Sequence, residues 1–178
     1  MTMKQAAITF IGAMAASSSI AASGPPAPTP AAALRCTLEA PARAVAGQAV
    51  MLRFSFSNEG AAALRVLRWN TPLEGAWFAP FVEVRRDGRK LPFQGPMIKR
   101  AEPRAEDYVA FAPGQTITAE VDLALPFDLS APGHYRIEPR LRLFDVRVDS
   151  GHATAPPRAE HHGSDLPCPS VEIELTAR

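Results

Sequence analysis

Several polar side chains near the C-terminus are the first candidates for metal chemistry. His152, His161, His162 and Asp165 lie in one segment, with Cys168 just beyond it. A protein metal site needs three or four such ligands converging on one ion. Adjacent histidines in a segment rich in proline and glycine do not easily point at one ion. These four residues are therefore weak candidates, and the sequence predicts a solvated polar loop without a metal.

General acid–base chemistry would need paired carboxylates, and the middle of the chain supplies four of them: Glu74, Glu102, Glu106 and Asp107. The loops of β-sandwiches carry such residues routinely. The chain contains no HExxH zinc motif, no GxSxG nucleophile motif and no phosphate-binding loop. The sequence thus predicts a protein that is not an enzyme and uses no cofactor. The alternative, an enzyme or metal carrier, would rest on the histidine segment.

Residues 67–108 contain both tryptophans and a basic pair, which suits recognition better than catalysis. Trp69 ends a predicted strand and is expected to pack over the core. Trp77 lies in a predicted loop, where it is either a contact residue for a partner or a buried ring. Lys99 and Arg100 are either a solvated surface pair or part of a loop presented to a partner's cleft. The predicted partner-binding set is Asn70, Thr71, Pro72, Leu73, Glu74, Trp77, Lys99 and Arg100.

The overall composition is that of an ordinary globular protein. The 178 residues are 47% hydrophobic and 21% charged, with 19 basic and 18 acidic side chains and a net charge of +1. Because no large single-sign field results, nothing favours a nucleic-acid partner or a polybasic membrane contact. This length is typical of one domain once the ends are discounted.

The N-terminus reads as an export signal. Lys4 precedes an apolar run at residues 6–16, which is too short to span a bilayer, and small residues follow. Residues 1–22 are predicted to be a signal peptide cleaved after Ala22 or Ser23, and residues 23–33 a disordered Pro/Ala-rich linker. A retained N-terminal anchor is the alternative. We expect an exported protein, periplasmic or secreted, with no stable membrane insertion after cleavage.

The remaining residues, 34–178, show the alternation of buried and exposed positions that is typical of β-strands. About seven such runs follow one another, around residues 36–40, 50–57, 64–69, 81–85, 116–123, 135–143 and 171–176. Asp-Gly and Pro-Gly pairs supply the turns between them. The pattern predicts one all-β domain, an immunoglobulin-like antiparallel β-sandwich, with a long flexible loop at residues 149–169.

The two cysteines, Cys36 and Cys168, lie at opposite ends of this domain. In an oxidising compartment such a pair is expected to form a disulfide. Two free buried thiols are the alternative. Closing so long a loop would stabilise the fold by roughly 4–5 kcal/mol in the chain-entropy model.

A series of short motifs carries a family resemblance. It includes residues 69–75, 81–84 with Asp87 and Gly88, 93–100, Asp107 with Tyr108, and the later runs 113–115, 121–123, 127–130 and 133–135. In this order they resemble the N-terminal pro-domain of secreted aspzincin metalloendopeptidases, the deuterolysin and peptidyl-Lys metalloendopeptidase family. The likeness covers about residues 38–143.

In that family the pro-domain precedes a zinc protease, keeps it latent and helps it fold. This sequence ends at Arg178 without an HExxH helix. The resemblance therefore implies a free-standing inhibitor or folding helper of a secreted zinc metalloprotease, acting through residues 70–80 and 96–107. The alternative is a structural or adhesive envelope module with no protease partner. That alternative predicts a buried Trp77 and no exposed apolar patch on residues 70–80.

Overall fold

A computed structural model of the protein describes residues 29–151 and 154–178. The predicted signal peptide, residues 23–28 of the predicted linker and His152 lie outside the described residues. The end of that linker is folded: Pro30–Ala33 forms a 3-10 helix, and Ala31 and Ala33 pack against the core. The folded domain therefore begins a few residues earlier than the composition suggested.

The described residues form thirteen β-strands and four short 3-10 helices. The helices are Pro30–Ala33, Pro72–Glu74, Ala105–Asp107 and Arg158–Glu160. The strands are β1 (Leu34–Glu39), β2 (Arg43–Val45), β3 (Met51–Asn58), β4 (Leu64–Leu67), β5 (Val82–Arg86), β6 (Arg89–Lys90), β7 (Tyr108–Phe111), β8 (Thr116–Asp122), β9 (Gly133–Pro139), β10 (Leu141–Leu143), β11 (Val146–Val148), β12 (Ser164–Leu166) and β13 (Val171–Thr176).

Two sheets form the immunoglobulin-like β-sandwich that the sequence predicted. The first has the order β1-β3-β8, and the second has the order β2-β13-β9-β5-β6. All pairings in both sheets are antiparallel except that of β2 with β13, which is parallel. The chain thus leaves the first sheet after β1 and joins the edge of the second. All seven predicted strands are present, and the other six are only two to four residues long.

The core lies between the two sheets and follows the predicted alternation. From β3 of the first sheet, Leu52, Phe54 and Phe56 are buried, and from β9 of the second, Tyr135 and Ile137 are buried. Alternate residues of one strand share a face, so a single run of the sequence contributes several side chains to the core. The predicted disulfide is confirmed: Cys36 of β1 bonds to Cys168, which precedes β13.

A third, smaller sheet caps one end of the sandwich. It has the order β11-β4-β7, and each of its strands comes from a connection between longer strands. We call it the end sheet. It lies where β3 ends and β8 begins, because the Asn58 side chain at the end of β3 donates to the carbonyls of Ala62, Phe111 and Ala112. Asn58 is fully buried, so these bonds connect the end sheet to the sandwich from inside.

Two predicted elements differ in detail from the structure. The run at residues 135–143 is not one strand, because β9 ends at Pro139 and β10 pairs with β12 in a separate ladder. The ladder of β9 with β13 ends at Ile137, and Pro139 pairs with Val82 of β5 instead. The predicted loop at residues 149–169 contains the Arg158–Glu160 helix and β12, so its described part is structured rather than a flexible loop throughout.

Candidate recognition surface

The turn after β4 is held by its own side chains. Thr71 is fully buried; its hydroxyl donates to the Arg68 carbonyl at 2.6 Å and accepts from the Leu73 N–H at 3.2 Å. The Glu74 carboxylate accepts from the Asn70 N–H at 2.7 Å. Gly75 adopts a left-handed conformation with φ of 69° and ends the Pro72–Glu74 helix. Thr71 and Glu74, both predicted to bind a partner, therefore make bonds within the turn.

Arg100 is a bracing residue rather than a free surface cation. Its Nη2 lies 2.7 Å from Glu74 Oε2, and the two side chains are only 15% and 6% exposed. Its guanidinium carbon also lies 5.3 Å from the ring centroids of Trp69 and of Phe78. These contacts fix Arg100 against the turn at Asn70, so only Lys99 of the predicted basic pair is freely exposed.

Both tryptophans are buried, which decides between the two alternatives that the sequence left open for Trp77. Trp77, weighed as a contact residue, is 5% exposed and belongs to the core, where its ring stacks on Phe81 with centroids 4.1 Å apart. Its Nε1 donates to the Asp122 carbonyl at 2.8 Å. Trp69, expected over the core, is also buried but lies outside the core cluster, beneath Arg100 and Arg158. Burial excludes Trp77 as an exposed contact residue.

Residues 94–100, which we call the crest loop, are exposed in the middle and anchored at both ends. At the first end the Gln94 N–H donates to the Pro126 carbonyl at 2.8 Å, and the preceding Phe93 ring packs on Phe127. At the other end Arg100 is braced as described above. Met97, between these anchors, is 77% exposed. An anchored loop loses less conformational entropy on binding than a free one.

Met97 and Ile98 are adjacent exposed apolar residues on the crest loop. By contrast, residues 70–80 contribute no large hydrophobic residue to the exposed set. Within the predicted surface, the exposed apolar side chains are therefore Met97 and Ile98 and not Trp77. The sequence does not show which of the two segments exposes apolar residues, because its pattern predicts a loop for both.

Asp145 is a buried carboxylate that the sequence did not single out. It is 0% exposed and accepts from the Tyr108 hydroxyl at 2.8 Å, from Arg147 Nε at 2.7 Å and from the His162 N–H at 3.0 Å. Burial, together with the hydrogen bond to Asp145, raises the pKa of the Tyr108 phenol well above its usual value. Asp145 thus joins the end sheet to the segment that follows it.

The predicted metal candidates do not converge. His161 Nε2 lies 3.3 Å from the Pro156 carbonyl, His162 contacts Asp145 through its backbone, and Asp165 pairs with Arg142 at 3.0 Å. Within residues 29–151 and 154–178, no group of three or more His, Cys, Asp or Glu side chains could hold a metal ion.

The four carboxylates weighed for acid–base chemistry are also engaged separately. Glu74 pairs with Arg100, Glu102 accepts from the Arg158 N–H, and Glu106 lies 3.6 Å from Arg104. Asp107 accepts from the Arg104 N–H at 2.9 Å and ends the helix Ala105–Asp107. Their polar contacts are with the chain itself, and they do not share one cleft.

No helix in the part of the chain that the structure describes is long and apolar enough to cross a membrane.

No protein-family model matches the chain. Among solved structures, the CARDB domain of a Pyrococcus furiosus protein aligns with 82% of this chain and 94% of that one, at a TM-score of 0.36 and 11% identity. A β-glucosidase from Listeria innocua aligns with 80% of this chain and 16% of that one, at 0.32 and 12% identity. Both TM-scores are below 0.5, so the fold is assigned from the strands and their pairings alone.

Sequence comparison finds two proteins named as proteases. An extracellular protease of Aeromonas hydrophila is 35% identical over 88 residues, which is 49% of this chain and 25% of that protein. A neutral protease 2 homolog of Coccidioides posadasii is 30% identical over 112 residues, which is 62% of this chain and 30% of that protein. This β-sandwich therefore shares part of its sequence with two proteases and spans less than a third of the length of either.

Proposed function

We propose that the chain is an exported, non-enzymatic binding domain that binds a secreted metalloprotease and holds it inactive, as a protease pro-domain does. The observation that carries this proposal is the partial similarity to two proteases. The matched region makes up 25% and 30% of them, a share that suits an accessory domain better than a catalytic one. The disulfide agrees with export, since such bonds persist in oxidising compartments.

The crest loop suits this role physically. Inhibition requires only that a rigid segment occupy the cleft of the protease, and anchoring at both ends limits the entropy lost on binding. Met97 and Ile98 supply exposed apolar surface, and Lys99 adds one exposed charge. Of the two segments predicted to bind a partner, residues 70–80 and 96–107, these features favour the crest loop as the contact surface, with Asn70, Thr71 and Glu74 as its support.

The test is to titrate the purified domain into a secreted neutral metalloprotease of the same organism and follow hydrolysis of a labelled peptide. We expect stoichiometric loss of activity and a complex on a sizing column. Met97→Asp should weaken inhibition about tenfold or more, the equivalent of about 1.4 kcal/mol. Val148→Asp, which changes an exposed apolar residue of β11, is the matched control and should inhibit like wild type. Undiminished protease activity at micromolar domain, with no complex, would refute the proposal.

A second function, a structural or adhesive envelope module, is favoured by one observation. That alternative predicts a buried Trp77 and no exposed apolar patch on residues 70–80, and both are seen in the structure. The two functions differ in their partners. Purification of the tagged domain from its own host should recover a protease if it is an inhibitor, and only envelope components if it is a structural module.

A further inference from the structure

A groove runs beside the crest loop, on the side facing the Arg158–Glu160 helix. Its volume is about 450 Å³. Trp69, only 6% exposed, lies against it, and its lining also includes Ile98, Lys99, Arg100, Phe144 and Arg158. The groove therefore joins four segments that are separated in the sequence, around residues 69, 98–100, 144 and 158.

The groove is lined by positive charge. Lys99, Arg100 and Arg158 all border it, and no acidic side chain does. Arg100 is neutralised by Glu74, which is buried behind it. In the described part of the chain, Lys99 and Arg158 form no ion pair within 4.0 Å. The side chains of Lys99 and Arg158 thus face one concave surface without an ion-pair partner, and the nearby Glu102 carboxylate bonds only to the Arg158 backbone N–H.

Arg158 is already placed for recognition. Its guanidinium carbon lies 5.5 Å from the Trp69 ring centroid. Its backbone N–H donates to the Glu102 carboxylate at 2.9 Å. Stacking on an aromatic ring orients a guanidinium at little cost and leaves its edge N–H groups free. Those N–H groups form a planar fork that matches a carboxylate in bidentate geometry.

The groove also has exposed apolar walls. Ile98 and Phe144 both line it, and both are among the exposed large hydrophobic residues. A simple inorganic anion would make no use of them. A peptide in which acidic and apolar side chains alternate would meet both the cations and the apolar walls, because successive side chains of an extended peptide point to opposite sides.

We propose that this groove binds an extended acidic peptide segment of a partner protein, with carboxylates at Lys99 and Arg158 and an apolar side chain against Ile98 and Phe144. The charge complementarity and the apolar walls carry this inference. The groove shares Ile98 and Lys99 with the surface proposed above, but the inference does not rest on the proposed function, since its test needs no protease.

The experiment measures the binding of a short labelled peptide in which glutamate alternates with leucine, together with the same peptide carrying glutamine for glutamate. Fluorescence anisotropy with the purified domain is the readout. We expect the glutamate peptide to bind at least about tenfold more tightly than the glutamine peptide, and the difference to shrink as salt is raised. Lys99→Glu and Arg158→Glu should each weaken binding about tenfold. Arg43→Glu, the same charge change on exposed β2, should alter it by less than about twofold.

Equal affinity for the two peptides would overturn the inference, as would equal losses in Arg158→Glu and Arg43→Glu. The inference would also be overturned if inorganic phosphate displaced the labelled peptide at the same concentration as unlabelled peptide does. The site would then recognise negative charge alone. The outcomes are separable from those of the proposed function. Peptide binding without protease inhibition supports the groove and refutes the inhibitor, whereas inhibition by a domain that binds neither peptide does the reverse.

Discussion

At the scale of single residues, the ion pair between Arg100 and Glu74 fixes one end of the crest loop to the turn after β4. The two side chains are largely buried and lie 26 residues apart in the sequence. A partly buried pair adds little net stability when intact, but loss of one partner leaves an uncompensated buried charge. The pair therefore acts mainly as a brace whose removal affects both the turn and the loop.

Arg100→Met is expected to lower the free energy of unfolding by about 3 kcal/mol, because Glu74 then remains buried without a cation. The double variant Arg100→Met/Glu74→Gln should lose less than the sum of the two single variants, by about 1 kcal/mol or more. Urea denaturation of all four proteins measures this. The exposed pair Arg104 and Glu106 is the control, and Arg104→Met should cost less than about 0.5 kcal/mol. Additive losses at Arg100 and Glu74 would show that the pair is not a brace.

At the scale of elements, three short strands that could not stand alone form the end sheet. β4, β7 and β11 are three or four residues long. Strands this short gain little from their own ladders and depend on side chains that connect them to the sandwich. Asn58 supplies the connection to β3, and Asp145 supplies the connection between Tyr108 of β7 and Arg147 of β11.

The Tyr108 phenol should make the end sheet sensitive to alkali. Because the folded state raises the pKa of Tyr108, the folded protein holds its proton where the unfolded chain has released it. The stabilisation is complete below the unfolded value and is lost as the pH rises above about 10. The midpoint of urea denaturation should therefore fall with pH in this range.

Tyr108→Phe should reduce that dependence and cost about 1 kcal/mol at neutral pH, since Asp145 loses one donor. Tyr135→Phe serves as the comparison. Burial also raises the pKa of Tyr135, but its hydroxyl donates to the Ala131 carbonyl and not to a carboxylate. If the alkaline loss of stability were the same in Tyr108→Phe as in wild type, the Asp145 bond would not be its source.

At the scale of the whole molecule, the two tryptophans are natural probes of two different regions. Trp77 lies in the core between the sheets, and Trp69 lies at the capped end, outside the core cluster. The buried bonds of Asn58 connect the end sheet to the sandwich, so we expect the two regions to unfold together.

Trp69→Phe and Trp77→Phe each leave a single tryptophan. In each variant the midpoint of urea denaturation followed by tryptophan fluorescence should coincide with the midpoint followed by far-UV circular dichroism. The physical reason is that neither region has a core of its own. In Trp77→Phe the remaining fluorescence comes from Trp69. If it changed at a lower urea concentration than the far-UV circular dichroism signal, the capped end would unfold separately.

The sequence by itself determined the sandwich. Alternation along a strand is a local property, so runs such as Leu52, Phe54 and Phe56 identify a buried face without knowledge of the partner strand. The disulfide was also predictable, because Cys36 and Cys168 are the only cysteines and each has one possible partner. The turn at Pro113 and Gly114 was predictable as well, and in the structure Gly114 adopts a left-handed φ of 72°, which glycine tolerates best.

Only the tertiary structure decided which side chains of the candidate recognition surface are exposed. The burial of Trp77, the pairing of Arg100 with Glu74 and the stacking of Arg158 on Trp69 are contacts between distant segments, which leave no periodic trace in the sequence. Two strands of the end sheet, β7 and β11, escaped prediction for a related reason, since strands of three or four residues are too short for alternation to be read. Local periodicity determines which faces are buried, whereas packing between inserted segments decides which side chains remain available to a partner.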